Sequence, residues 1–291
     1  MKKILPMTYS ALKRSTQILT ATLVAVACVA SHASDPKHIK GPKPMGVFLQ
    51  NISWVEAKPL LNEDTVVVIP LGAANKEHGP HLPLSNDFIT AEYLAKRVAQ
   101  ARKIVVAPTV NYNYYPYFVD YPGTTSLRLE TARDLAVDIC MSFKKFGVKK
   151  FYFLNTGFVS QIPLKAAQEI LIKEGLVMRY TDNQTGVRPE DKVIEKICTQ
   201  TVGTHADEVE TSMTLYFAPE CVDMKRAVKD IGAIKPGFMT PDPMAKEEGR
   251  YSPTGVFGDP TLATKAKGKA ITEAMIEGML REIDYLQAFK N

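Results

Sequence analysis

Residues 65–87 read TVVVIPLGAANKEHGPHLPLSND. The first eight form an apolar, β-branched run ending in Pro70-Leu71-Gly72, the pattern of a strand buried on both faces that opens into a loop. That loop carries Lys76, Glu77, His78 and His81, and Asp87 opens the next periodic segment. Gly79 allows a sharp turn, and Pro80 and Pro83 stiffen it, so the imidazoles and carboxylates can converge on one point.

The same alternation continues outward. DFITAEYLAKRVAQAR (87–102) has helical spacing, KIVVAPTV (103–110) is a second buried strand, and ETARDLAVDICMSFKKFG (130–147) is a helix closed by Gly147. KKFYFLNTG (149–157), SQIPLKAAQEILIKEG (160–175) and LVMRYTD (176–182) read as strand, helix and strand. Such an order implies an α/β fold, with a mainly parallel sheet covered by helices on both faces. Ligands in these sheets gather in loops beyond the carboxyl ends of the strands, which is where the polar cluster falls. The stretch from Gly232 to Asp259 is rich in Gly and Pro and reads as a long loop, and a helix from about Leu262 to Phe289 closes the chain.

Residues 1–33 read as a secretory signal: Lys2, Lys3, Lys13 and Arg14 precede the apolar run ILTATLVAVACVA, and SHA supplies small residues at the cleavage position. Residues 34–291 are then one domain, exported to a periplasm or secreted. The apolar run is short of the roughly 20 residues that a membrane span needs, so no stable span is expected after cleavage. Cys28 is a candidate for lipid attachment, with Ala25 a poor match three positions before it. Loss of those four positive charges and no negative ones takes the formal balance from +5 to +1. A near-neutral chain gives no electrostatic case for nucleic acid as a partner. Of the three cysteines left, Cys140 lies in an apolar helical pattern, while Cys198 and Cys221 are candidates for a bridge.

Imidazole and carboxylate are ligands for zinc, manganese and iron, and His78, Asp87 and Glu77 are the candidate donors. Asp87 has a plain alternative as the N-cap of the helix that follows. His81, three positions after His78, can be a ligand, a loop staple or a hydrogen-bond partner behind a ligand, the last being preferred. His205, in HADEVETSMTL (205–215), precedes a helix and suits proton transfer near neutrality. Glu208 and Glu210 fall on different faces of that helix, so one of them can join His205. The tract NYNYYPYFVDYPG (111–123) is either a packed loop or a pocket wall. No Gly-x-Ser-x-Gly elbow, P-loop or dinucleotide fingerprint occurs.

IPLGAANKEHGPHLPLSND resembles the signature of the creatininase (creatinine amidohydrolase) family. YPGTTSL (121–127), HADEVETSMTL and GVFGDPTLATKAKGKAI (255–271) resemble three further blocks of that family, in family order. The resemblance implies a three-layer αβα sandwich, often a homo-oligomer, with a two-metal centre that hydrolyses C–N bonds of small cyclic or linear amides. By position it makes His78 a ligand, Asp87 the carboxylate that bridges the metals, His205 a proton-transfer group and Glu210 an acid beside the site. Tyr121, Thr124 and Asn155 are candidates for supporting or substrate contacts.

The chain departs from the family pattern at two places. Lys76 stands where a carboxylate ligand is expected, and NTGFVS (155–160) replaces a segment with two more ligands. An ammonium at a ligand position supplies charge where an ion would sit, so one divalent ion rather than two is expected, with Lys76 in a catalytic role. The alternative is no ion, with Lys76 paired to Asp87 or Glu210. The leading reading is an exported metal-dependent amidohydrolase; its rival is a non-catalytic relative that binds a small molecule or a protein.

Overall fold

The run 65–72 forms the middle strand of a five-stranded, all-parallel sheet in the computed structural model. The strands are β1 (Val47–Phe48), β2 (Val66–Leu71), β3 (Val105–Val106), β4 (Lys150–Asn155) and β5 (Val177–Tyr180), in the order β1-β3-β2-β4-β5. The helices are α1 (Trp54–Ala57), α2 (Asn86–Ala101), α3 (Leu129–Lys144), α4 (Gln161–Lys173), α5 (Pro189–Ile197), α6 (Glu208–Phe217) and α7 (Lys265–Ala288). The structure describes residues 44–182, 188–231, 243 and 251–290. All lie in the unit His38–Asn291; a second unit, Met1–Lys37, is outside the described residues, and with it the signal reading and Cys28. Most of the loop stretch 232–250 is outside them too.

Side chains alternate across each strand, and here both alternations are apolar. Val66 and Val68 of β2 with Tyr152 and Leu154 of β4 pack against α2, α6 and α7. Val67, Ile69 and Leu71 with Phe151 and Phe153 pack against α3 and α4. This makes the three-layer α/β/α sandwich. Fully buried side chains of this size stabilise the fold by roughly 1.5–3 kcal/mol each, so β2 and β4 anchor the domain. Among the described residues no helix is long and apolar enough to cross a membrane.

Two expectations are corrected. Cys140, Cys198 and Cys221 are all free: Cys140 is buried under α3 and α4, while Cys198 and Cys221 pack separately against the apolar cluster on the other face. Asp87 is not the N-cap of α2. Ser85 holds that position, and Asp87 lies inside the first turn, buried and turned toward the loop after β2.

Close approaches fix where α2 and α6 sit. At Gly72 a Cβ would overlap the carbonyl of Asp87, so glycine lets the start of α2 lie against the end of β2. At Gly268 of α7 a Cβ would overlap the carbonyl of Ser212 in α6. The obstacle is backbone and cannot rotate away. Gly268→Ala is expected to cost about 3 kcal/mol, at the upper end of usual overpacking penalties. Urea unfolding measures it, and a change within experimental error would show that the two helices are not locked at this crossing.

Candidate metal centre

The loop from β2 to α2 is sewn to the aromatic tract. Ala74 N donates to Asn111 O (3.1 Å), Thr125 N to Asn75 O (3.0 Å), and Glu77 N to Thr124 Oγ1 (3.0 Å). On the other side an antiparallel bridge between His205 and Phe257 holds the stretch leading into α6, with Phe257 N donating to His205 O at 2.9 Å. These connections bring His78 and His205 together, with ring centroids 5.0 Å apart and the ring planes tilted by 41°. Phe118 closes the third side, its ring centroid 4.5 Å from that of His205.

The proton positions on both rings follow from their partners. His78 Nδ1 lies 2.9 Å from Lys76 O. A carbonyl only accepts, so Nδ1 carries the hydrogen. His78 Nε2 then faces Asp87 Oδ1 at 3.0 Å, and a carboxylate also only accepts. That contact needs positive charge between the atoms, either a second proton or a metal ion. His205 repeats the pattern: Nε2 donates toward Glu77 O (3.0 Å) and Oε2 (3.1 Å), leaving Nδ1 facing Glu210 Oε2 at 3.7 Å. A backbone carbonyl behind each ring thus aims its other nitrogen at the common space, as second partners do behind metal-bound histidines.

His78, His205 and Glu210 offer ligand atoms that all lie within 4.8 Å of one another. Glu210 is also held by Ala206 N (2.6 Å), and Ala206 adopts a positive φ of 48°, an uncommon conformation for a residue with a side chain. Glu77, expected as a donor, sits instead behind His205. Its Oε1 accepts from Gly79 N, and Gly255, whose φ is +71°, passes so close that a Cβ would overlap the carboxylate. Asp87 is shared: Oδ1 faces His78, and Oδ2 meets Lys76 Nζ at 2.7 Å. Lys76 is only 5% exposed, with Nζ over the rings of Tyr115 and Phe118.

The charges reinforce one another. Burial opposes the ammonium of Lys76, but Asp87, Glu210 and Glu77 outweigh it and raise its pKa. Burial likewise opposes a charged Asp87, and Lys76 and His78 overcome this to hold its carboxyl well below the usual range. Burial works against a charged His205, yet Glu77 and Glu210 raise its pKa above the ordinary value.

The remaining sequence candidates support the loops. Tyr121 Oη donates to Ser252 O at 2.7 Å, and Thr124 holds the Glu77 backbone. The Asn155 amide bonds within its own turn, with Nδ2 donating to Gly157 O (2.8 Å) and Oδ1 accepting from Ser160 Oγ (2.6 Å). The NTGFVS loop therefore offers the centre no carboxylate or imidazole. Glu208 is turned away, accepting from Gln200 N at 2.7 Å and pairing with Lys267. Tyr115, Phe118 and Gly255 escaped the sequence reading as site residues; the crowding of aromatics in 111–123 was the signal for the first two.

His81 Nε2 bonds to Thr211 Oγ1 at 2.8 Å, tying the loop to α6 beside Glu210. Burial pushes its pKa down to about 4. Between about 4 and 6.5 the unfolded chain therefore binds a proton that the folded one refuses, and stability falls as pH drops through that window. The loss is about 2–3 kcal/mol by the usual conversion. Asp207, pushed up to about 6 by burial and by Glu210, acts in the opposite direction over part of the range. The wild-type minus His81→Asn difference in urea stability isolates the histidine. It is expected to shrink from pH 7 to pH 4; a pH-independent difference would contradict the assignment.

Beside the cluster lies a cavity of about 370 Å³, lined by Asp87, Thr156, Phe158, Asp207, Glu210 and Met213 among others. Its size suits a small molecule. Asp87 and Glu210 thus face both the candidate metal position and the space where a substrate would lie.

The family model described as creatininase, creatinine amidohydrolase, matches residues 50–283. A 3-dehydro-scyllo-inosose hydrolase of Thermotoga maritima is 28% identical over 267 residues, covering 83% of this chain and 85% of that one. A mycofactocin precursor peptide peptidase of Mycolicibacterium smegmatis is 29% identical over 233 residues, covering 78% and 87%. A crystal structure of creatinine amidohydrolase superposes with a TM-score of 0.70 at 22% identity, covering 86% of this chain and all of that one. Solved creatininases include manganese and Zn–Zn forms. The family-model match over residues 50–283, on a three-layer sandwich that superposes on a creatininase and gathers histidines and carboxylates in one place, puts this protein in the creatininase family.

Proposed function

We propose that the protein is a metal-dependent hydrolase of C–N bonds in a small cyclic or linear amide, exported by its leader, with one divalent ion held by His78, His205 and Glu210. The carrying observation is the convergence of His78 Nε2, His205 Nδ1 and a Glu210 oxygen, each aimed inward by a partner behind it. Charge supports the count. Glu77, Asp87 and Glu210 bring three negative charges and Lys76 one positive, a deficit that a single divalent ion balances. A second ion would leave a buried excess of positive charge.

Held there by His78, His205 and Glu210, a divalent ion would supply the acidity that turns a water into a nucleophile at neutral pH. The residues of the chain do the rest. Asp87 keeps the Lys76 ammonium in place, and Glu77 holds the His205 ring through Nε2, so that Nδ1 serves as a ligand in place of the proton-transfer role that the resemblance implies. The cavity beside Asp87 and Glu210 limits the substrate to small amides.

One observation favours the rival reading of a non-catalytic binder: Lys76 already neutralises Asp87. A screen of small cyclic and linear amides separates the two. Hydrolysis that disappears on chelation, returns with zinc or manganese and is absent in His205→Ala supports the enzyme. A protein whose melting temperature does not respond to any divalent ion supports the binder.

A further inference from the structure

On the Oδ2 side of Asp87, away from the histidines, two hydrogen-bond donors are left unspent. The Lys76 ammonium has three N–H groups. Among the described residues, the side-chain partner at hydrogen-bond distance from it is Asp87 Oδ2, and its other close neighbours are the rings of Tyr115 and Phe118, with centroids 5.6 Å and 5.1 Å from Nζ. Tyr115 is 1% exposed, and its hydroxyl has no hydrogen-bond partner. A buried O–H without an acceptor is destabilising, and a phenylalanine would fill the same space without that penalty.

The ring of Tyr115 is fixed. Its backbone N–H donates to Ser126 Oγ at 2.8 Å, and the ring edge lies so close to Gly157 that a Cβ there would be 3.3 Å from Cε1. Thr156 and Phe158, on either side of Gly157, line the cavity together with Asp87. The two spare donors therefore stand behind the wall of this cavity, Lys76 through its contact with Asp87 and Tyr115 through its contact with Gly157. Burial holds the Tyr115 phenol well above its usual pKa, so it keeps the hydrogen it would donate.

We infer that Lys76 Nζ and Tyr115 Oη form a donor site for one oxygen atom: a water at rest, and the carbonyl oxygen of the scissile amide during reaction. This rests on the amide-hydrolase reading. The oxygen accepts hydrogen bonds from an ammonium and a phenol, no proton is transferred, and negative charge that develops on it during attack is stabilised by donors already in place. Lys76 would then do from the Oδ2 side what a second ion does elsewhere. Tyr115 becomes a further catalytic residue.

The test uses the full-length protein and Tyr115→Phe. In a high-resolution crystal structure of the wild type, a solvent atom is expected within about 3.2 Å of both Lys76 Nζ and Tyr115 Oη. In crystals soaked with acetamide, the probe's oxygen is expected to replace it, and this density is lost in Tyr115→Phe. A protein acceptor on Tyr115 Oη, a dry site, or acetamide bound only elsewhere overturns the inference. The variant is expected to melt at or above the wild-type temperature, and a fall of more than about 3 °C would reveal a structural partner for the hydroxyl. On any amide that the wild type hydrolyses, kcat is expected to drop roughly 100-fold with KM little changed, as for loss of one oxyanion donor. An unchanged kcat overturns the catalytic role. If the wild type hydrolyses no amide, the solvent and acetamide results still decide whether the donor site exists, so failure of the enzyme reading is told apart from failure of this one.

Discussion

Asp87→Ala is expected to destabilise the folded protein by about 3–5 kcal/mol, the usual cost of stranding one member of a buried ion pair. The substitution leaves the Lys76 ammonium almost wholly enclosed, facing aromatic rings in place of its carboxylate. It also removes the acceptor opposite His78 Nε2. The cost should not be read as the worth of the pair, because replacing both members by apolar groups is often neutral. Lys76→Met combined with Asp87→Leu is therefore expected to regain most of the lost stability while abolishing activity. Chemical denaturation of the three proteins measures this. A double variant as unstable as Asp87→Ala would mean that the carboxylate acts through some partner other than Lys76.

His205→Ala is expected to weaken ion binding by roughly 100-fold or more, since losing even a group behind a ligand costs 10–100-fold. Glu77→Gln, which replaces the carboxylate behind His205 Nε2 and removes one of the three negative charges, is expected in the range of about 10–100-fold. The order of the two effects matters more than their size, because it distinguishes a donor from the group that orients it. Competition against a chromophoric chelator gives both affinities. If Glu77→Gln were the more damaging variant, Glu77 would itself be a donor and His205 its support.

The sequence revealed the fold wherever burial was continuous. Val66 to Leu71 and Lys150 to Asn155 are strands with two covered faces, and such runs cannot be confused with amphipathic surface segments. Strand β1 escaped notice because two residues, Val47 and Phe48, carry no period. Helix α5 escaped because PEDKVIEKI is charged on most of its surface and its apolar residues, Val193, Ile194 and Ile197, are few. The site was legible as a set of residue types but not as a set of neighbours. His78, Asp87, His205 and Glu210 can be picked out along the chain, whereas the position of Glu77 behind His205 depends on the bridge to Phe257 and on Gly255, 178 residues beyond it. The choice between Asp87 as helix cap and Asp87 as site residue turned on a shift of two positions in the start of α2, finer than spacing alone resolves.

The proposed centre holds a single ion beside a resident lysine, and the metal content of the purified full-length protein, measured by elemental analysis after dialysis, counts it. About one equivalent of tightly held zinc, manganese or iron per chain is expected, reduced to a trace in His78→Ala. Two equivalents would show that Lys76 does not displace an ion, and none, with no uptake when ions are supplied, would show that the two imidazoles and Glu210 do not form a metal site.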